Sequence, residues 1–182
     1  MFWVLALLIC FNRYICKMIR EVKSTDGAEI AEIYNYYILN TTVTFEEEAI
    51  TATDMAGRIA GITEKFPWLV YEKEGKIIGY AYASAWRSRR AYRLSVETTV
   101  YLKNGISGKG YGTELYAELI SRLQKMSLHA IIGGIALPND GSIALHKKFG
   151  FEKAAHFNEV GFKFNRWIDV TYWQKIVNTD AS

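Results

Sequence analysis

The chain has 182 residues, half of them hydrophobic, with 22 Lys and Arg against 19 Asp and Glu. That length can bury a core but suits no more than one ordinary domain and an appendage. A formal charge of +3 is too mild to mark a nucleic-acid binder, and two prolines with 14 glycines exclude a collagen-like or low-complexity chain.

The first segment differs from the rest. Residues 1–17 carry an apolar run and both cysteines, Cys10 and Cys16. The run is shorter than the roughly 20 residues a membrane-spanning helix needs. It has no basic residue ahead of it and no small-residue cleavage site behind it, so it does not read as a signal peptide. We expect an N-terminal extension arising from an upstream start, a single domain over 18–178 and a short tail over 179–182. That domain contains no cysteine, which excludes a thiol nucleophile, a disulfide and a thiolate metal site within it. A cytoplasmic protein without a membrane partner is expected.

The alternation in Met18 to Val22 predicts a strand. Asp26 is placed to cap a helix whose apolar residues Ile30, Ile33, Tyr34, Tyr37 and Ile38 recur at three and four. A Thr-rich stretch from Thr41 to Phe45 leads to a second helix over about Thr53 to Lys65, stopped by Phe66-Pro67. Trp68 to Glu72 and Lys76 to Ala85 flank Gly75 as a hairpin, and Leu94 to Leu102 is a β-branched strand. A glycine-dense loop, Gly105 to Gly112, precedes an amphipathic helix with Leu115, Leu119, Ile120, Leu123 and Met126 on one side. His129 to Leu137 reads as a buried strand and Asn139 to Phe149 as a short helix ended by Gly150. Strands over Phe151 to Val160 and Trp167 to Ile176 finish the chain. No internal repeat is present.

The strongest local signal is the order strand, Ser107-Gly108-Lys109-Gly110-Tyr111-Gly112-Thr113, helix. Glycines let backbone N–H groups converge, and the helix adds its unpaired first-turn amides and the positive end of its dipole. The result is an anion site suited to a diphosphate. The spacing fits neither the P-loop nor a clean dinucleotide fingerprint.

In this order, with Asn139 opening a second short helix that runs through His146 to Gly150-Phe151, the chain resembles the GNAT superfamily of acetyl-CoA-dependent N-acetyltransferases. That family's cradle, Gln/Arg-x-x-Gly-x-Gly/Ala, falls on Ser107 to Gly112. Gly110 and Gly112 match; Ser107 departs from Gln or Arg. The likeness narrows to the phosphinothricin acetyltransferase branch through Ile33-Tyr34-Asn35-Tyr36-Tyr37, Thr44-Phe45, Pro67-Trp68-Leu69-Val70 and Ala85-Trp86-Arg87-Ser88-Arg89-Arg90-Ala91-Tyr92. Val96-Glu97-Thr98-Thr99-Val100-Tyr101, Leu137-Pro138-Asn139-Asp140, Leu145-His146, Gly161-Phe162-Lys163 and Tyr172-Trp173-Gln174 extend it.

The resemblance implies an α/β (α+β) fold: a mixed, mostly antiparallel sheet with helices on both faces, splayed where acetyl-CoA inserts. It assigns Thr99, Val100, Tyr101 and Leu102, the loop Gly108, Lys109, Gly110, Tyr111, Gly112 and Thr113, and Asn139 with Ser142 to acetyl-CoA. It requires no metal. Glu97 is the only carboxylate in its strand and matches the branch's catalytic Glu. Acetyl transfer needs a neutral amine, so a general base must take a proton, and burial raises a Glu toward that task. The alternative is a solvated strand Glu. His146 stands where the superfamily often has Tyr; it can polarise the carbonyl, donate to sulfur or relay a proton, or simply face solvent. Tyr116 has an aromatic counterpart in the branch, at the acceptor end or in the core.

Arg87 and Arg89 align with basic positions that hold substrate anions, and on an extended segment they share a side. Tyr92 aligns with a substrate-contacting Tyr, while Phe45 and Trp86 are candidates for pocket walls. His129 and His156 lack metal spacing and read as structural. These readings together predict direct acetyl transfer to the α-amine of a small anionic amino-acid-like acceptor of the phosphinothricin or methionine sulfoximine kind. A protein or peptide acetyltransferase and a non-catalytic CoA-binding module are the alternatives. Excess aromatic surface in the last hairpin predicts a homodimer.

Overall fold

A computed structural model describes residues 18–177. The expected extension at 1–17 and tail at 179–182 lie outside the described residues. The strands are β1 (Met18–Glu21), β2 (Trp68–Lys73), β3 (Lys76–Ala85), β4 (Ser95–Leu102), β5 (Ala130–Ala136), β6 (Glu152–Lys163) and β7 (Arg166–Ile176). The helices are α1 (Gly27–Asn40), α2 (Ala52–Thr63), α3 (Tyr111–Gln124) and α4 (Asp140–Lys148).

The strands form one sheet in the order β1-β2-β3-β4-β5-β7-β6. Every neighbouring pair is antiparallel except β4 and β5, which run parallel and are joined by the crossover through α3. This is the mixed, mostly antiparallel sheet that the family resemblance implies. Alternation along β2 and β3 divides the core between the two faces. Leu69, Tyr71, Ala81 and Ala83 pack with Val96 under Leu115, Leu119 and Leu123 of α3. Trp68, Val70 and Tyr80 point the other way, under Ile30, Ile33 and Ile38 of α1 and Met55 and Ile59 of α2.

Local chemistry explains the boundaries. Glu74 and Gly75 both have positive φ, 54° and 73°, the twist that joins two antiparallel strands across a two-residue turn. Thr51 caps α2 by accepting from the Asp54 amide, and the Asp54 carboxylate returns the bond to the Thr51 amide at 3.0 Å. Asp26 does not cap α1 as expected. Its carboxylate takes the Lys23 amide at 2.7 Å and the Arg20 guanidinium at 2.7 and 3.1 Å. Those bonds hold the short 3-10 turn Ser24–Asp26 that precedes the helix. Strand β6 runs three residues beyond its expected end at Val160. The described residues contain no helix long and apolar enough to cross a membrane.

Candidate active site

The sheet parts between β4 and β5. Their ladder consists of Ser95, Val96 and Glu97 opposite Ala130, Ile131 and Ile132. At the next residue the Thr98 hydroxyl donates to the Ile132 carbonyl at 3.2 Å, and the Tyr116 phenol meets the same hydroxyl at 2.8 Å. With its one hydrogen committed to the carbonyl, Thr98 accepts from Tyr116. A side chain thus occupies the place of the next ladder bond, and the strands diverge beyond it.

The divergence opens a cavity of about 590 Å3. Glu97 to Leu102 form one wall and Gly134, Ile135 and Ala136 the other. Ser107, Gly108, Gly110, Gly112 and Thr113 close one end at the α3 N-terminus, and Asn139, Ser142, Leu145 and His146 of the α4 region close another. Gly108 and Gly110 have φ of 80° and 85°, which a side chain rarely tolerates, and Gly110 is the residue that enters α3. Asn139 caps α4 by accepting the Ser142 amide at 3.1 Å.

The cavity wall therefore contains Glu97, Thr99, Val100, Tyr101, Leu102, the loop glycines, Thr113, Asn139, Ser142 and His146. The other expected residues lie elsewhere. Lys109 is exposed outside the wall. Tyr111 turns into the core, its ring 5.2 Å edge-on from Tyr71 and its phenol 3.3 Å from Lys73. Tyr116 is fully buried behind the split, between Thr98 and the rings of Phe149 and Phe151.

Glu97 is half-buried at the closed end of the split. Burial pushes its carboxyl above the usual Glu range, and the charge of Arg87 pulls more weakly the other way. The Arg87 guanidinium carbon lies over Trp86, 4.2 Å from the ring centroid, and Trp86 stands edge-on to Tyr172 at 5.2 Å. Arg87, Arg89 and Tyr92 are exposed, and neither they nor Trp86 line the cavity. Residues 86–89 belong to no strand and lead into a 3-10 turn, Arg90–Tyr92. Phe45 lies over Gly161 of β6 and also stands off the wall.

His146 is 3% exposed. Its Nδ1–H donates to the Ser142 carbonyl at 2.8 Å, which leaves Nε2 as a lone pair with no partner among the described residues. Burial lowers its pKa, so the ring is neutral at pH 7. Two consecutive glycines of β5 show how it stands relative to Glu97. A Cβ on Gly133 would strike the His146 ring, whereas one on Gly134 would lie 3.0 Å from the Glu97 carboxylate and 3.2 Å from the Tyr172 ring. Successive strand positions face opposite sides of a sheet. Glu97 and His146 therefore reach the cavity from opposite faces and do not touch.

Sequence reasoning missed Tyr37, Val43, Gly134, Ile135 and Ala136 on the wall and Tyr172 beside Glu97. Glycines inside an otherwise apolar strand signal close approach of other groups, and Gly133-Gly134 was that signal.

The Acetyltransferase (GNAT) domain family matches residues 19–172. The chain belongs to this family. It is accordingly an acyltransferase. The phosphinothricin N-acetyltransferase of Streptomyces viridochromogenes is 34% identical over 157 residues, covering 86% of each chain. The L-methionine sulfoximine/L-methionine sulfone acetyltransferase of Salmonella typhimurium is 36% identical over 168 residues, covering 90% of this chain and 96% of that one. Among solved structures, a GNAT superfamily phosphinothricin acetyltransferase from Sinorhizobium meliloti in complex with AcCoA superposes with a TM-score of 0.87 at 36% identity. That alignment covers 91% of this chain and 90% of the other. No group of three or more metal-ligating side chains gathers among the described residues.

Proposed function

We propose that this acyltransferase moves the acetyl group of acetyl-CoA directly onto the amine of a small anionic amino-acid-like acceptor, of the phosphinothricin or methionine sulfoximine kind, with Glu97 as general base. The observation that carries this reading is Glu97 itself: a half-buried carboxylate with a raised pKa, at the closed end of the cavity between two parted strands. The names of the similar enzymes support the acceptor class.

The cavity fits the cosubstrate on its own features. An anionic group is served by the first-turn amides of α3 and by glycines whose positive φ keeps side chains out of the loop. The parted strands offer backbone groups along Thr99 to Leu102 and Gly134 to Ala136 for an amide-bearing chain. Bound there, acetyl-CoA supplies an activated thioester. The protein's part is to present a neutral amine. Glu97 accepts the ammonium proton, so that nitrogen has a lone pair when its bond to the acyl carbon forms and the carbon–sulfur bond breaks. Burial of Glu97 favours this, because a carboxylate with a raised pKa is a stronger base. Arg87, stacked over Trp86 and near enough for its charge to act on Glu97, is the cation we assign to the acceptor's anionic group. The residues from 18 onward contain no cysteine to carry an acetyl intermediate, which favours direct transfer. His146, neutral and presenting a lone pair at Nε2, is set up to accept and not to donate.

Purified protein with acetyl-CoA should release free thiol on addition of phosphinothricin or methionine sulfoximine. No release above background with either, at high concentration, rejects the acceptor class. Glu97→Gln should lower kcat by about 10²-fold or more with a smaller change in KM; an unchanged kcat removes Glu97 from the mechanism.

A further inference from the structure

The α1–α2 loop, residues 41–51, is held from two directions. At its base the Asn35 side chain brackets Ile50, donating to its carbonyl and accepting its amide, both at 2.9 Å. Tyr34 bridges Thr44 at 2.8 Å and Glu46 at 2.9 Å, and Arg58 forks onto Glu46. These anchors belong to the β1–β4 half of the split sheet, which α1 and α2 cover.

The crown of the loop is held by the other half. Lys163, at the end of β6, donates its ammonium to the Thr44 carbonyl at 2.9 Å. It is 2% exposed, and Glu46 and Glu47 attract it from longer range. Two residues earlier, Gly161 receives the Phe45 ring against its Cα, where a Cβ would collide with three ring carbons. Burying an ammonium that makes this one hydrogen bond costs free energy, so the contact is not a cheap way to fill space.

The topology shows what that position is. β4 and β5 separate beyond Glu97 and Ile132, so the cleft opens toward their C-terminal ends. The β6–β7 hairpin continues past Ala136, the last residue of β5, because Gly161 to Lys163 pair with Arg166 to Ile168 there. The loop therefore meets the far half at the open end of the cleft. It does so on the face to which Glu97 points: Tyr101, two pairs of residues along β4 from Glu97, touches Tyr34 and Tyr37 of α1. Val43, between the two buried threonines Thr42 and Thr44, lines the cavity.

We propose that Lys163 and Gly161 form a clasp that holds the α1–α2 loop as a roof over the Glu97 side of the cleft, and so position it to select the acceptor. The roof determines how large an acceptor side chain fits and leaves the α3 end of the cavity untouched. Lys163 touches neither substrate; it is a positioning residue. The acceptor part of this claim rests on the small-molecule acetyltransfer reading, whereas the clasp itself does not.

Two variants of the full chain test it. Lys163→Met removes the bond to Thr44. Gly161→Ala keeps the lysine but displaces Phe45, and the φ of Gly161 is ordinary, so alanine strains no backbone there. Each should raise the KM for phosphinothricin or methionine sulfoximine about tenfold, keep the acetyl-CoA KM within about twofold, and relax the preference against bulkier amino acids. Amide hydrogen exchange should speed up across residues 41–50 and stay unchanged in α3. If the wild-type enzyme releases no thiol with any acceptor, the functional reading fails, and exchange alone then judges the clasp. Unchanged exchange in both variants overturns the clasp. Faster exchange with acceptor and acetyl-CoA KM values that move together, or not at all, overturns its role in selection. Should Lys163→Met fail to fold, Gly161→Ala and Phe45→Ala carry the same comparison.

Discussion

Glu97 is held in a state that disfavours the folded protein. Its carboxyl is raised by burial, so the native chain binds that proton more tightly than the unfolded chain does. Stability linked to this group is therefore greatest below the ordinary Glu pKa and declines as pH rises through the folded value. Glu97→Gln should consequently melt higher than wild type near pH 8, and the gap should close on acidification to about pH 4. Thermal unfolding of the pair across pH checks the sign; a variant that melts lower than wild type at pH 8 contradicts it. Gly134 makes the second residue-scale case. A Cβ there would press on both the Glu97 carboxylate and Tyr172. Gly134→Ala should lower kcat by about tenfold or more while leaving the acetyl-CoA KM close to wild type, because a base displaced by a fraction of an ångström loses its alignment. Steady-state kinetics with both substrates varied would read this directly.

At the scale of elements, helix α3 carries the α3-side core. Leu115, Leu119 and Leu123, four residues apart, are fully buried against Leu69, Ala81 and Val96. Leu119→Ala should cost about 3 kcal/mol through lost transfer energy and the cavity left behind, measured by urea unfolding. That helix was legible in the sequence because its periodicity reports its own packing. The same holds for the hairpin at Glu74-Gly75 and for the Asn139 cap. Features that depend on a distant partner were not legible. Asp26 sits where a helix cap belongs, but Arg20 reaches it from β1 and draws its carboxylate to the preceding turn. Tyr116 carries a phenol near the glycine loop, yet Thr98 on a neighbouring strand takes it into the core. Arg87 and Arg89 would share a side on a strand, but residues 86–89 join no strand and run into the 3-10 turn Arg90–Tyr92. The glycine loop and Glu97 could be read locally, whereas the separation of Glu97 from His146 is set by the order of the strands.

At the scale of the whole molecule, the cleft divides the sheet into β1–β4 on one side and β5, β7 and β6 on the other. A cosubstrate seated between the halves binds the folded chain only. At about a hundredfold over its Kd, acetyl-CoA should add about 2.7 kcal/mol to stability and raise Tm accordingly; a Tm indifferent to saturating acetyl-CoA would contradict binding in the cleft. The division has a mechanical side as well. Within the sheet, the two halves are sewn together by three residue pairs and the Thr98 hydroxyl, while every other seam runs to four pairs or more. Force applied across the strands concentrates on that short seam, and α3 with its buried Tyr116 lies over it like a splint. A pull across the strands is thus borne by the α3 splint and the Lys163 clasp as much as by the ladder, along the line beside which the reaction is proposed to occur.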